Sequence, residues 1–203
     1  SDSIGRIQKR FPQAAIFVGD LSAEALCKEY GLNVERLFRI RGGEEYEFDD
    51  VKIEVIAARH TESKSGNYWD KGYCIQKDGS RRETMWYGSL EMYNFRITDA
   101  NGYRAVVWGG MTTEEQIHRM EKYNGNEIAF MHVSPKQDHQ MFARLVQAIN
   151  PKVVIPHHYD IWETLFSGKT RAFGRYEAYR KEKQMTEVYL IPSYRISRMH
   201  VRM

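Results

Sequence analysis

Cysteine is scarce in this chain: Cys27 and Cys74 are the only two in 203 residues. Neither lies in a CxxC pair and two are too few for a disulfide framework, so the expectation is a protein of a reducing, cytoplasmic compartment. Long apolar runs are missing as well. No stretch approaches the roughly 20 residues that a membrane-spanning helix needs. Residues 1–10 carry charges throughout, without the apolar core of a signal peptide. Charge of one sign is equally short: 30 Lys and Arg against 27 Asp and Glu leave a formal +3. So weak a surplus, spread along the chain, gives no electrostatic case for nucleic acid or an acidic membrane as partner. Repeats, low-complexity tracts and evident linkers are absent too, and the length suits one domain over 1–203.

What is present reads as alternating elements. Ile4, Ile7 and Phe11 recur at helical spacing with Arg6, Lys9 and Arg10 between them, which predicts a helix from the first residues, capped by Ser1 or Asp2. The chain lacks an initiator Met and starts inside this pattern, as a fragment would. Ala14 to Val18 is a short strand, and Ser22 to Glu29 a helix closed by Gly31. Val34 to Ile40 is a further strand, and 44–57 a hairpin turning at Asp49-Asp50. Residues 61–71 read as a loop, with short strands at 73–76 and 83–87. Asp99-Ala100-Asn101-Gly102 joins two β-prone runs, 91–98 and 103–108, in a hairpin. Thr112 or Thr113 then caps a helix through Tyr123. Strand 127–132, helix 138–149, strand 152–156, helices 161–167 and 171–183, and strand 187–191 complete an α/β order.

Seven histidines are present. His118 lies on a polar helix face, His139 in a first helical turn and His200 in a basic tail, where no function is needed. His60, His132 and the pair His157-His158 each follow or close a strand. In α/β sheets the loops at strand carboxyl ends converge on the ligand crevice, and two or three imidazoles with a carboxylate there suit zinc, iron or manganese. No HExxH or paired CxxC motif narrows the choice. Tyr68, Trp69, Tyr73, Trp86, Tyr87, Tyr93 and Phe95 enrich the middle third in aromatics, which reads as core packing or as the interface of a homo-oligomer. Arg171, Arg175, Arg180, Lys181 and Lys183 form a basic helix face, read as solvated.

Asn150-Pro151 followed by Lys152 to Tyr159, KVVIPHHY, resembles the "KPKVVIPMHY" segment of the metallo-β-lactamase superfamily, in its ascorbate-6-phosphate lactonase-like branch. The hairpin ending in Ala57-Ala58-Arg59-His60 is similar to that branch's "VKITVLPARH". Arg104 to Met111 stands where relatives carry a strand ending in Gly-Asp-Thr. The resemblance runs in order along most of residues 1–192 and implies an αββα sandwich, of which this chain supplies mainly the C-terminal half. It implies a metal-dependent hydrolase in which a metal-activated water attacks a lactone, amide or phosphoester of a small-molecule substrate. His60 and His158 match metal-binding positions for a divalent ion, zinc first, with manganese or iron as alternatives. His157 stands where relatives often have Met and, with Arg59 and His132, is expected on the substrate side.

Two departures limit what the resemblance implies. The family's HxHxDH loop, which supplies most ligands of the first metal, is missing from the sequence, so the ligand set is incomplete and the domain reads as truncated at its N-terminus. Gly110 occupies the position of the metal-bridging Asp; Glu114 and Glu115 nearby fall at a helix start, where acidic residues favour the dipole in any case. The alternative to a hydrolase is therefore a catalytically inactive relative serving as a binding or assembly module. An unrelated α/β domain carrying VIPHHY by chance is the third reading.

Overall fold

The alternation of apolar runs and capping residues becomes four α-helices and eleven β-strands in the computed structural model, which describes residues 2–60, 62, 63, 65–84, 89–133 and 138–157. In order these are α1 (Asp2–Arg10), β1 (Ile16–Gly19), α2 (Asp20–Tyr30), β2 (Leu37–Ile40), β3 (Glu45–Glu47), β4 (Val51–Ala57), β5 (Tyr68–Asp70), β6 (Tyr73–Ile75) and β7 (Arg81–Glu83). Then come β8 (Tyr93–Asp99), β9 (Arg104–Trp108), α3 (Glu114–Glu121), β10 (Asn126–His132), α4 (His139–Ile149) and β11 (Pro151–His157). The expected helices at 161–167 and 171–183 and the strand at 187–191 lie outside the described residues. Contacts divide the chain into two compact units. One takes residues up to Tyr46 with Glu54–Asn94; the other takes Glu47–Ile53 with the residues from Phe95 onward.

The second unit is built on parallel strands. β9, β10 and β11 lie side by side, Ala105 opposite Ile128 and Ile128 opposite Val153, through to Met131 opposite Trp108 and His132 opposite His157. Val106, Trp108, Ala129, Met131 and Val154 are fully buried, as expected of parallel strands rich in apolar residues. β8 pairs antiparallel with β9, Phe95 opposite Val107, across a turn in which the Asp99 carboxylate accepts the N–H groups of Asn101 and Tyr103 at 2.9 and 2.8 Å. Gly102 takes the left-handed conformation of that turn at φ 80°, so the Asn-Gly signal is met.

Helix α4 buries Phe142, Leu145, Val146 and Ile149, the i, i+3, i+4, i+7 stripe of an amphipathic helix. Asp138 caps its start, accepting from Gln140 and Met141 at 2.8 and 3.0 Å, and Asn150 ends it in the left-handed region at φ 47°. Pro151 then cannot continue the helix and opens β11. Thr113, of the two threonines expected, caps α3 by accepting from the Gln116 N–H at 3.2 Å.

The first unit is made of shorter pieces. β1 and β2 pair in parallel, and β5, β6 and β7 form a separate antiparallel sheet. Phe17 stacks on Phe38 at 5.3 Å between centroids, and Tyr46 meets Phe17 edge-on at 5.1 Å. Gly42 lies against Ala57 so tightly that a Cβ there would stand 2.4 Å from the Ala57 Cβ and 2.8 Å from its Cα.

Three local expectations are corrected here. Helix α2 starts at Asp20 rather than Ser22, because Glu91 rather than a local side chain caps it: its carboxylate accepts the Leu21 N–H at 2.6 Å and the Ser22 hydroxyl at 3.3 Å. Residues 34–36 wind into a 3₁₀ turn capped by Asn33, so the strand expected from Val34 starts only at Leu37. Ile7 in α1 and Phe11 just after it are 51% and 58% exposed, and Gln8 is buried instead, exchanging hydrogen bonds with the Asn33 backbone.

Candidate functional site

In the second unit the parallel strands set their carboxyl ends side by side, and two imidazoles and a main-chain carbonyl come together there. His132 closes β10 and is only 8% exposed. His157 closes β11 directly opposite it, and the two imidazole centroids are 5.9 Å apart with planes inclined at 49°. Trp108 closes β9 fully buried; its indole N–H donates to the Gly110 carbonyl at 2.9 Å. The Trp108 carbonyl in turn lies 3.1 Å from His157 Nε2. A carbonyl only accepts, so this bond places a proton on Nε2 and makes Nδ1 the ring's lone-pair nitrogen in the neutral form. Gly110 follows β9 with its carbonyl taken by the indole and with no side chain to offer a metal or a substrate.

The first unit holds Arg59 and His60 on an aromatic strand. The Arg59 guanidinium lies over the Tyr68 ring, 3.7 Å from its centroid, and is ion-paired with Glu62. Its Nε is buried, without a hydrogen-bond partner among the described residues. His60 meets Trp69 edge-on at 5.7 Å. The Tyr68-Trp69 pair, read from the sequence as core packing or as part of a subunit interface, lies against both of these candidate residues. Of the other aromatics, Tyr73 is largely exposed, and Trp86 and Tyr87 lie outside the described residues.

A second polar cluster in this unit has a structural role. Asp20 accepts from Arg41 at 2.7 Å, with Arg39 at 3.6 Å, and these guanidinium groups hold its carboxyl below the usual range. Burial, reinforced by the charges of Glu91, Asp20 and Glu44, pushes the Tyr93 phenol up to about 12. Tyr46 reaches about 12 through burial and its bond to Glu44. Each partner is accounted for within the cluster and around the start of α2.

Of the expected site residues, then, the structure brings His132 and His157 together and sets Arg59 and His60 against neighbouring aromatic residues. His158 and His200 lie outside the described residues, as does the side chain of His139. His118 is 86% exposed and paired with Glu121, as a solvated residue should be. Glu114 and Glu115 pair with Arg144 and Arg119 at the start of α3. Among the described residues no group of three or more His, Cys, Asp or Glu could hold a metal ion. The described donors therefore do not by themselves complete a hydrolytic metal site, which needs about three protein ligands and an open position.

The fold is α/β and resembles metallo-β-lactamase-fold proteins over most of the chain. No family model and no curated protein matches the sequence; solved structures do. Igni18, a metallo hydrolase from the hyperthermophilic archaeon Ignicoccus hospitalis, superposes at TM-score 0.58 with 14% identity, over 94% of this chain and 70% of its own. A possible metal-dependent hydrolase from Veillonella parvula gives TM-score 0.58 at 11% identity, over 89% and 65%. The metallo-β-lactamase-fold protein YhfI from Bacillus subtilis gives 0.52 at 11%, over 87% and 61%. The chain thus spans between 61% and 70% of the length of these three proteins.

Proposed function

We propose that this chain belongs to a metal-dependent hydrolase acting on a small-molecule lactone, amide or phosphoester. The observation that carries the proposal is the correspondence of 94% of the chain to a metallo hydrolase, with His132 and His157 at the strand ends where α/β sheets bind ligands. In this reading His60 and His158 are metal ligands, and Arg59, His132 and His157 face the substrate. A metal held by His60 and His158 would supply Lewis acidity toward water and toward a carbonyl or phosphoryl oxygen. The chain's own residues bind and orient: the aromatic-backed guanidinium of Arg59 suits an anionic substituent, and the carbonyl-anchored imidazole of His157 has one defined acceptor nitrogen.

A second reading is favoured by Gly110, whose lack of a side chain and indole-bound carbonyl fit a relative that has kept the fold as a binding or assembly module. Metal analysis of the purified chain decides between them, combined with turnover of lactone, amide and phosphodiester probes after loading with zinc, manganese or iron. The hydrolase predicts bound metal and turnover that fall together in His60→Ala and in His158→Ala. Turnover that stays at the buffer rate with every metal, or is unchanged in both variants, overturns it.

A further inference from the structure

We infer that the outer side of α1 docks on the β3–β4 turn of a second copy of this chain. The inference is independent of the hydrolase reading and rests on two surfaces whose chemistries match. On the first, the Phe11 N–H donates to the Ile7 carbonyl at 2.8 Å, continuing the helical pattern, so the two side chains lie on one stripe. Both are largely exposed. The bonds from Gln8 to the Asn33 backbone hold the 3₁₀ turn alongside, where Val34 is 68% exposed. Singly exposed apolar residues are ordinary; a stripe of them flanked by cations is not. Arg6, Lys9 and Arg10 are exposed, and Arg10 lies over the Phe11 ring at 5.8 Å. None of the three has an ion-pair partner among the described residues.

The counterpart is the turn between β3 and β4. Glu47, Phe48, Asp49 and Asp50 are exposed in succession, and the Phe48 N–H closes the turn by donating to the Val51 carbonyl at 2.8 Å. Phe48 is thus an exposed ring among three carboxylates, as Phe11 is an exposed ring among three cations. Glu47, Asp49 and Asp50 also have no ion-pair partner among the described residues. Apolar contact supplies an attraction that scales with area, and the charges select the partner. Two α1 surfaces face to face, or two turns, would set like charges together, so unlike surfaces meet. They can do so in a two-fold pair or head to tail along a row of copies. Patches of this size suit a weak, reversible association rather than an obligate one.

The test is sedimentation velocity on the full chain over a wide range of concentration. The expected result is reversible association that weakens about tenfold or more at high salt, because exposed charges are screened, and that weakens again in Phe11→Ser. Charge reversal gives the decisive arm. A chain carrying Lys9→Glu with Arg10→Glu, and a chain carrying Asp49→Lys with Asp50→Lys, should each stay monomeric alone. Their equimolar mixture should associate, because α1 of either chain then meets a turn of opposite sign on the other. Circular dichroism verifies that both are folded. An unaltered chain that stays monomeric at every concentration overturns the inference and leaves the stripe to a partner of another kind. Association unchanged in both reversed chains overturns it too, as does a mixture that associates no better than its parts.

Discussion

The two units are held together by different forces. The second rests on apolar strands packed under an apolar helix face, with Trp108, Val106, Met131, Leu145, Val146 and Ile149 removed from water. The first has short strands and adds directed polar contacts to its apolar packing: Glu91 on the start of α2, Asp20 between two guanidinium groups, and the phenols of Tyr46 and Tyr93, which donate to Glu44 and to the Ile40 carbonyl. Apolar burial is non-directional and scales with area. Polar networks depend on geometry and on protonation. The second unit should therefore respond to lost volume, and the first to lost partners and to pH.

The largest expected effect is that of Trp108→Ala. It removes a fully buried indole and its bond to Gly110, and large-to-small aromatic changes in cores cost about 3–5 kcal/mol; urea unfolding measures it. Next is Gly42→Ala in the first unit. Its Cβ would fall within 3 Å of Ala57 main-chain and side-chain carbons that cannot easily give way, and overpacking of this kind costs about 1–3 kcal/mol. Glu91→Ala should then cost about 0.5–2 kcal/mol, the usual loss for a helix cap, with fraying of α2 visible in hydrogen exchange at Leu21. If Glu91→Ala proves as costly as Trp108→Ala, the contrast between the units fails.

The smallest expected effect is confined to alkaline pH. Tyr46 and Tyr93 are raised from 10 to about 12, so the neutral phenol is favoured by folding. That contribution is complete below pH 10, the unfolded value, and is lost as pH rises toward about 12. Urea midpoints measured across this window should fall, and less steeply in Tyr93→Phe. An equal decline in that variant would remove Tyr93 from the account.

What could be read from the sequence divides along the same line. The second unit was legible because its signals are local: Asp138 and Thr113 cap the helices that follow them, Asn101-Gly102 turns a hairpin, and α4 carries its apolar stripe in full. The first unit was less so. The cap of α2 comes from Glu91, 69 residues beyond Ser22, and no local pattern announces it. Gln8 displaced Ile7 from the buried side of α1 because Asn33 offered it a backbone partner. Position after a strand marked His60, His132 and the pair His157-His158 alike, and the structure brings His132 and His157 within 5.9 Å of each other. Their closeness follows from strand register, which periodicity does not reveal. Nor did any spacing show that Tyr68 and Trp69 would back Arg59 and His60.

The bond from His157 to Trp108 has a consequence for how this molecule can change. The acceptor belongs to the main chain, so every residue at position 108 supplies it, and only a shift of β9 relative to β11 withdraws it. The direction in which that imidazole points is thereby insulated from point mutation at its partner and exposed to anything that slides the strands. Selection acting on this ring would be expected to work through backbone displacement, or through position 157 itself.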